Sequence, residues 1–296
     1  MSEIRIDSLL PAEMATKAEY LGVRKAEMPA FTMLMLAILA GAFISLGAVF
    51  ATTVSAGGMS VTAADGSAAF STGLPYGVTR LLSGLVFCLG LILVIVGGAE
   101  LFTGNNLIVM AWASRKVSTP ALLRNWAIVY TGNFIGAIGT AVLMFFTRQY
   151  TFGADSVGIA ALKIAVAKCQ LDFVQAIALG ILCNGLVCLA VWLSFSARTT
   201  LDKIASIIFP ITAFVAAGFE HSIANMYFIP YALFVDMFDP AFVEKVAEKV
   251  PGLEALTWKA FLVDNLIPVT IGNIIGGVVL VASIYWVVFL RSKKEL

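Results

Sequence analysis

The chain has 296 residues, of which 60% are hydrophobic and 12% charged, with a formal net charge of +1. A soluble domain of this length carries about a quarter charged residues, so the composition is that of an integral membrane protein. The balanced charge, with no basic run longer than the pair Lys293-Lys294, excludes nucleic acid as a partner.

In chain order, residues 1–28 are polar, with Pro11 near a helix start and Met14, Ala18 and Leu21 spaced to share one face. That spacing predicts a short amphipathic helix lying at the membrane surface or against the protein, although a plain cytoplasmic tail fits equally. Mixed charges precede the first apolar run, so no cleavable signal peptide is expected and the first span serves as the insertion signal. Four uncharged runs, 30–55, 125–147, 173–197 and 265–290, each suffice for one crossing, since about 20 apolar residues span a bilayer as a helix.

Two further runs are longer. One covers 81–114 and is interrupted only by Glu100; the other covers 204–235 and is interrupted only by Glu220 and His221. Each is too long for one straight span and short for two, and a glycine, Gly98 or Gly218, stands at the interruption. The fit is a discontinuous helix, because irregular backbone at membrane depth is tolerated only inside protein or beside a water-filled cavity. Six crossings put both termini on one side. With the N-terminus inside, the inner segments hold Arg5, Lys17, Arg24, Lys25, Arg115, Lys116, Arg124, Arg198, Lys203, Arg291, Lys293 and Lys294. The outer ones hold Arg80, Arg148, Lys163, Lys168, Lys245, Lys249 and Lys259. The excess inside places both termini in the cytoplasm.

The interruptions repeat. Gly98-Ala-Glu100 and Asn105 match Gly218-Phe-Glu220 and Asn225, and Asn125 with Gly132-Asn133-Phe-Ile-Gly136 matches Asn265 with Gly272-Asn273-Ile-Ile-Gly276. Three spans per half means that the halves insert with opposite orientation, and paired broken helices point to a substrate path near the midplane. The expected fold is therefore an all-α membrane protein of six helices in a 3+3 inverted repeat. Residues 1–28 form the N-terminal segment and 29–291 one transmembrane domain, with repeat one at about 29–149 and repeat two at about 168–291. Residues 292–296 form a cytoplasmic tail.

His221 is the only histidine and the only side chain here that ordinarily titrates near neutrality, so it can donate a hydrogen bond or a proton to a passing anion. A histidine that merely ties helices together is the alternative. Glu100 and Glu220 would oppose an anion if they lined its path, and are expected instead to accept backbone N–H groups and hold the breaks. Thr103 offers a hydroxyl in the first break; Asn184 and Asn273 offer amides to each other or to a permeant. Phe87 and Leu91 lie one turn apart, and Leu101, Phe102 and Phe214 flank the breaks; spacing alone leaves core and gate both open. Cys88, Cys169, Cys183 and Cys188 include no Cys-x-x-Cys pair and read as small core residues, with no metal site. One histidine without clustered carboxylates does not make an enzyme active site, and no cofactor is expected.

Gly-Ala-Glu-Leu-Phe-Thr-Gly (98–104), Leu-Cys-Asn-Gly-Leu-Val-Cys-Leu-Ala-Val-Trp (182–192), Gly-Phe-Glu-His-Ser-Ile-Ala-Asn-Met (218–226) and Asn-Leu-Ile-Pro-Val-Thr-Ile-Gly-Asn-Ile-Ile-Gly-Gly (265–277) resemble the formate/nitrite transporter family, most closely its formate channels. The resemblance implies an aquaporin-like protomer in the bacterial inner membrane, assembled as a homopentamer with one pore per protomer. It implies passage of formate, or of nitrite or hydrosulfide, together with protons. By the same resemblance His221 is the central histidine and Thr103 its partner in the first break. A cytoplasmic constriction would comprise Phe87 and Leu91, and a periplasmic one Leu101, Phe102 and Phe214. Asn184 and Asn273 would be polar pore-side groups, and Lys168 a basic residue that draws anions into the periplasmic vestibule.

Overall fold

The computed structural model describes residues 8–57, 60–62, 68–71 and 73–291. Arg5, Lys293, Lys294 and the expected tail at 292–296 lie outside the described residues.

Helix α1 (Pro11–Ala26) starts as its sequence predicts, with Pro11 at the first helical position and Glu13 Oε2 accepting the Leu10 N–H at 2.9 Å. Its stripe faces the protein rather than lipid: Met14, Ala15 and Ala18 are buried. α2 (Ala30–Ser55) is the first long apolar helix. A two-stranded antiparallel hairpin (Ser60–Thr62 and Ala68–Ser71) follows, the one departure from all-helical structure among the described residues. α3 (Tyr76–Gly97) runs to the first break, after which a 3-10 turn (Gly104–Ile108) and short α4 (Val109–Ala113) complete the crossing. α5 (Thr119–Phe146) closes the first half.

The second half repeats the order. α6 (Ser156–Cys169) precedes α7 (Phe173–Ser196) as α1 precedes α2. α8 (Thr200–Ala217) is capped by Thr199, whose side chain accepts the Asp202 N–H while Asp202 accepts that of Thr199. It meets the second break, and α9 (Ser222–Phe238) continues to short α10 (Pro240–Val246). α11 (Ala260–Phe289) is the last span, wound as π-helix over Ala260–Leu266 and Gly276–Ser283. Among the described residues, six helices are long and apolar enough to cross a membrane. Helix ends overrun the uncharged runs: α5 begins at Thr119, ahead of Arg124, and α11 at Ala260, ahead of Asp264. Charges mark where the chain leaves hydrocarbon, whereas caps mark where the helix ends.

Two kinds of glycine fix this arrangement. Gly98 (φ 79°) and Gly218 (φ 78°) end α3 and α8 in the left-handed conformation that costs other residues a clash. Gly136 and Gly276 sit where a Cβ would run into the Ile38 and Ile181 carbonyls, so α5 crosses α2, and α11 crosses α7, at backbone contact.

Candidate functional site

Each break is held by an asparagine from the last helix of its own half. Asn133 Oδ1 accepts the Phe102 N–H at 2.9 Å, while its Nδ2 donates to Ala37 O (2.8 Å) and Glu100 O (2.9 Å). Asn273 does the same 140 residues later, accepting from Ser222 N at 2.9 Å and donating to Gly180 O and Glu220 O, both at 2.9 Å. The Glu100 and Glu220 N–H groups go to Leu36 O and Leu179 O of α2 and α7. These bonds satisfy irregular backbone that would otherwise be buried without partners.

The glutamate side chains act differently from the expectation. They accept side-chain donors, while the N–H groups of Glu100, Phe102, Glu220 and Ser222 go to Leu36 O, Asn133 Oδ1, Leu179 O and Asn273 Oδ1. Glu100 accepts from Lys25 Nζ at 2.7 Å and Asn105 Nδ2 at 2.7 Å; Asn105 Nδ2 also donates to Asn125 Oδ1, and Asn125 Nδ2 returns to Lys25 O at 3.0 Å. Glu220 accepts from Lys168 Nζ at 2.7 Å and Asn225 Nδ2 at 2.6 Å; Asn225 Nδ2 donates to Asn265 Oδ1, and Asn265 Nδ2 returns to Lys168 O at 2.9 Å. Two closed rings of four residues therefore stand in inverted correspondence, and α1 and α6 belong to the repeat because each supplies the lysine. Lys25 was not singled out from the sequence. Its signal is positional: Lys25 stands five residues before the first residue of α2, as Lys168 stands before that of α7.

The breaks meet at the centre of the protein. His221 caps α9: its Nδ1 accepts the Ala224 N–H at 3.1 Å. In the neutral ring that places the proton on Nε2, which donates to Thr103 Oγ1 at 3.0 Å. Thr103 is fully buried and His221 is 3% exposed. The Thr103 hydroxyl hydrogen is left for another acceptor. Two cavities of about 400 Å³ are present; His221 lines one of them and Thr103 lines neither. The α1-side cavity is lined by Lys17, Lys25, Lys203 and Glu100, together with Leu91 and Leu101. The α6-side cavity is lined by Arg80, Lys163, Lys168 and Glu220, together with Phe87, Phe214 and His221. Each carries three cations against one carboxylate.

The structure regroups the apolar residues. Leu91 goes with Leu101, and Phe87 goes with Phe214, whose ring meets it edge-on at 5.5 Å and stacks on His221 at 5.9 Å. The expected pairing of Phe87 with Leu91, and of Leu101 with Phe214, is thus corrected. Residues four apart on a helix are displaced by about 6 Å along its axis, enough for Phe87 and Leu91 to line different cavities. Phe102 lines neither cavity; it turns toward α5 and packs on Tyr130 (4.9 Å) and Trp126 (5.9 Å). Asn184 and Asn273 also line neither cavity. Asn184 Nδ2 is occupied by Asn273 O (2.7 Å), Asn106 Oδ1 (3.1 Å) and Thr103 O (3.3 Å), so it ties the first break to α11. Lys168 does line a cavity, but its charge is matched by Glu220. Arg80, which the sequence reading placed only among the outer cations, lines the same cavity, with its Nε donating to Ala216 O at 3.1 Å and its Nη2 to Val215 O.

Paired broken helices in an inverted repeat, joined by a buried polar contact, with one cation-lined cavity against each break, define a helical membrane protein of the pore-forming, aquaporin-like class. Comparison with known proteins gives the family. A family model described as formate/nitrite transporter matches residues 12–287. The formate channel FocA of Escherichia coli (strain K12) is 44% identical over 291 residues, covering 98% of this chain and 97% of that protein. The formate channel FocA of Haemophilus influenzae is 39% identical over 273 residues, covering 92% of each. A solved structure described as a pentameric formate channel with formate bound aligns with a TM-score of 0.78 at 44% identity, over 88% of this chain and 98% of that one. The chain belongs to the formate/nitrite transporter family and is a multi-pass membrane protein.

Proposed function

We propose that the protein passes small monovalent weak-acid anions, formate first, through a pore in each protomer of a homopentamer, and is not an enzyme. The observation that carries this is the pair of cation-lined cavities, one of them lined by His221, whose ring bonds the buried Thr103 hydroxyl of the first break. Strong likeness to formate channels, one of them pentameric, supports the substrate and the assembly. The excess of Lys and Arg on the α1 side supports both termini being cytoplasmic in the inner membrane, with residues 29–291 as one transmembrane domain.

The chemistry follows from the cost of charge. Moving a bare carboxylate into a dry, low-dielectric constriction costs of order 20 kcal/mol in the idealised limit and several after relaxation. A weak acid that shares or takes up a proton at the constriction avoids most of that. Leu91 with Leu101, and Phe87 with Phe214, form the apolar narrowings, and the cations on either side concentrate the anion at them. Between the narrowings, Thr103 offers its hydroxyl to the permeant while His221 orients that hydroxyl. His221 supplies a proton only when Nδ1 lets go of the Ala224 N–H, which couples proton supply to the cap of α9.

Flux of formate, nitrite and hydrosulfide into proteoliposomes holding the purified protein, compared across pH, tests this. Formate passage that depends on His221 is the expected result. Unchanged rate, pH response and selectivity in His221→Ala would sink the role of the histidine.

A further inference from the structure

The α6-side cavity holds three cations that are not equivalent. The Lys168 ammonium is 2.7 Å from the Glu220 carboxylate, lies 5.4 Å from the centre of the Phe228 ring, and its side chain is only 14% exposed. Lys163 is an exposed residue of α6 at the cavity wall. Arg80 is half-buried in the first turns of α3 and has no carboxylate partner among the described residues; both of its recorded acceptors are neutral carbonyls at the end of α8. Its positive charge is therefore the one at depth that no carboxylate cancels.

The atoms used matter as much as the charge. A guanidinium presents five N–H donors in a planar fork. The edge formed by Nε and Nη2 is spent on Ala216 O and Val215 O. That leaves the end of the fork, the two Nη1 hydrogens and the second Nη2 hydrogen, with no acceptor among the described residues. Two parallel N–H groups on that end match the two oxygens of a planar carboxylate or nitrite, and such bidentate pairs are both stronger and more selective than a contact with a point charge. The Arg80 backbone anchor also keeps the fork still. Val215 and Ala216 directly follow Phe214, so the residue that would receive the anion is bonded to the turn carrying the constriction phenylalanine.

We infer that Arg80 is the anion-docking residue of the α6-side cavity, binding a planar two-oxygen anion through the free end of its guanidinium. Lys168, the residue the sequence resemblance points to for this task, serves instead to hold Glu220 and the second break. This rests on the proposed passage of formate and says which residue selects it. A lysine at position 80 would keep the charge but lose the fork.

The test is the concentration dependence of formate flux in proteoliposomes for the unaltered protein, Arg80→Lys and Arg80→Gln. Losing one charge-assisted bidentate contact is expected to raise the half-saturating formate concentration on the order of tenfold in both variants. Native half-saturation in Arg80→Lys would overturn the proposal, because charge alone would then suffice. A lowered maximal rate with half-saturation unchanged in both variants would also overturn it, leaving Arg80 only as a clamp on α8. If the unaltered protein passes no formate, the formate reading fails by itself. The same variants are then read with nitrite, which has the same two-oxygen shape.

Discussion

Thr103 Oγ1 and His221 Nε2 lie 3.0 Å apart, and the same imidazole accepts the Ala224 N–H through Nδ1. One ring thus joins the two breaks and starts α9. These two duties separate by mutation. His221→Asn keeps a side-chain acceptor suited to the cap but is too short to orient the Thr103 hydroxyl, whereas His221→Ala loses both. His221→Ala is expected to lose about 1 kcal/mol of stability, the usual worth of an N-cap, and His221→Asn much less, as read by thermal unfolding in detergent. Both variants should alter formate flux. Thr103→Val, which changes shape little, should cut flux on the order of tenfold for one lost hydrogen bond to an anion. Combining it with His221→Asn should add less than the sum of the two single losses, because both remove the oriented hydroxyl, and what it does add reads the proton supplied by His221. Additive losses would show that they act separately.

Gly98 tests whether the breaks depend on backbone conformation alone. A Cβ there meets nothing within 4 Å, yet the residue has φ 79°. Gly98→Ala should therefore cost about 1–2 kcal/mol purely from the left-handed conformation. Gly77→Ala is the control, since that position in the first turn of α3 is equally open and has ordinary helical backbone; it should be neutral or slightly stabilising. Equal unfolding temperatures for the two variants would contradict this account of the break.

Much of this site was legible before the structure because it is built from rare residues in apolar surroundings. Glu100, Glu220 and His221 interrupt runs of otherwise uncharged sequence, so their cost in lipid exposes them. The asparagines repeat at matched offsets, so they marked the two halves. What stayed hidden depends on partners far apart in sequence. The lysine that matches Glu100 is 75 residues away and the one that matches Glu220 is 52 away, and only their shared place, five residues before α2 and α7, sets them apart from the other basic residues. α6 was hidden for a different reason. It buries Val157, Gly158, Ala160, Ala161, Leu162, Ala165 and Val166 on much of its circumference, so it lacks the one-sided stripe that announces an amphipathic helix. The direction of Phe102 is set by the turn after Gly98, which side-chain spacing does not encode.

The α1-side cavity should show its own dependence on pH. Burial, and next the charge of Lys203, push the Lys17 ammonium below the ordinary lysine range, while its Nζ donates to Phe195 O at 2.8 Å. As pH rises, Lys17 therefore gives up its proton before a free lysine would, and the cavity loses one of its three cations. Formate flux at low concentration, driven from the α1 side, should fall in that alkaline range, where formate itself stays ionised throughout. Lys17→Arg should abolish the fall, since a guanidinium stays charged. Lys203→Gln should move it only slightly upward, because burial is the larger cause. An identical fall in the unaltered protein and in Lys17→Arg would assign the effect to another group.

The two lysine–glutamate rings should differ in strength despite their shared pattern. Removing one partner of a buried ion pair leaves an uncompensated charge and costs about 3–5 kcal/mol. That applies most fully to Lys168→Met, because the Lys168 and Glu220 side chains are 14% and 6% exposed. Lys25 is 31% exposed beside Glu100 at 5%, so water entering the α1-side cavity can solvate the abandoned carboxylate, and Lys25→Met should cost less. Neutralising both partners separates charge from shape: Lys168→Met with Glu220→Gln keeps an acceptor for Asn225 and removes the buried charge, so it should regain most of the lost unfolding temperature. Since the ring holds the break that presents His221, formate flux should return together with stability. A double variant as unstable as Lys168→Met alone would mean that the ring is held by the geometry of the lysine stem and not by its charge.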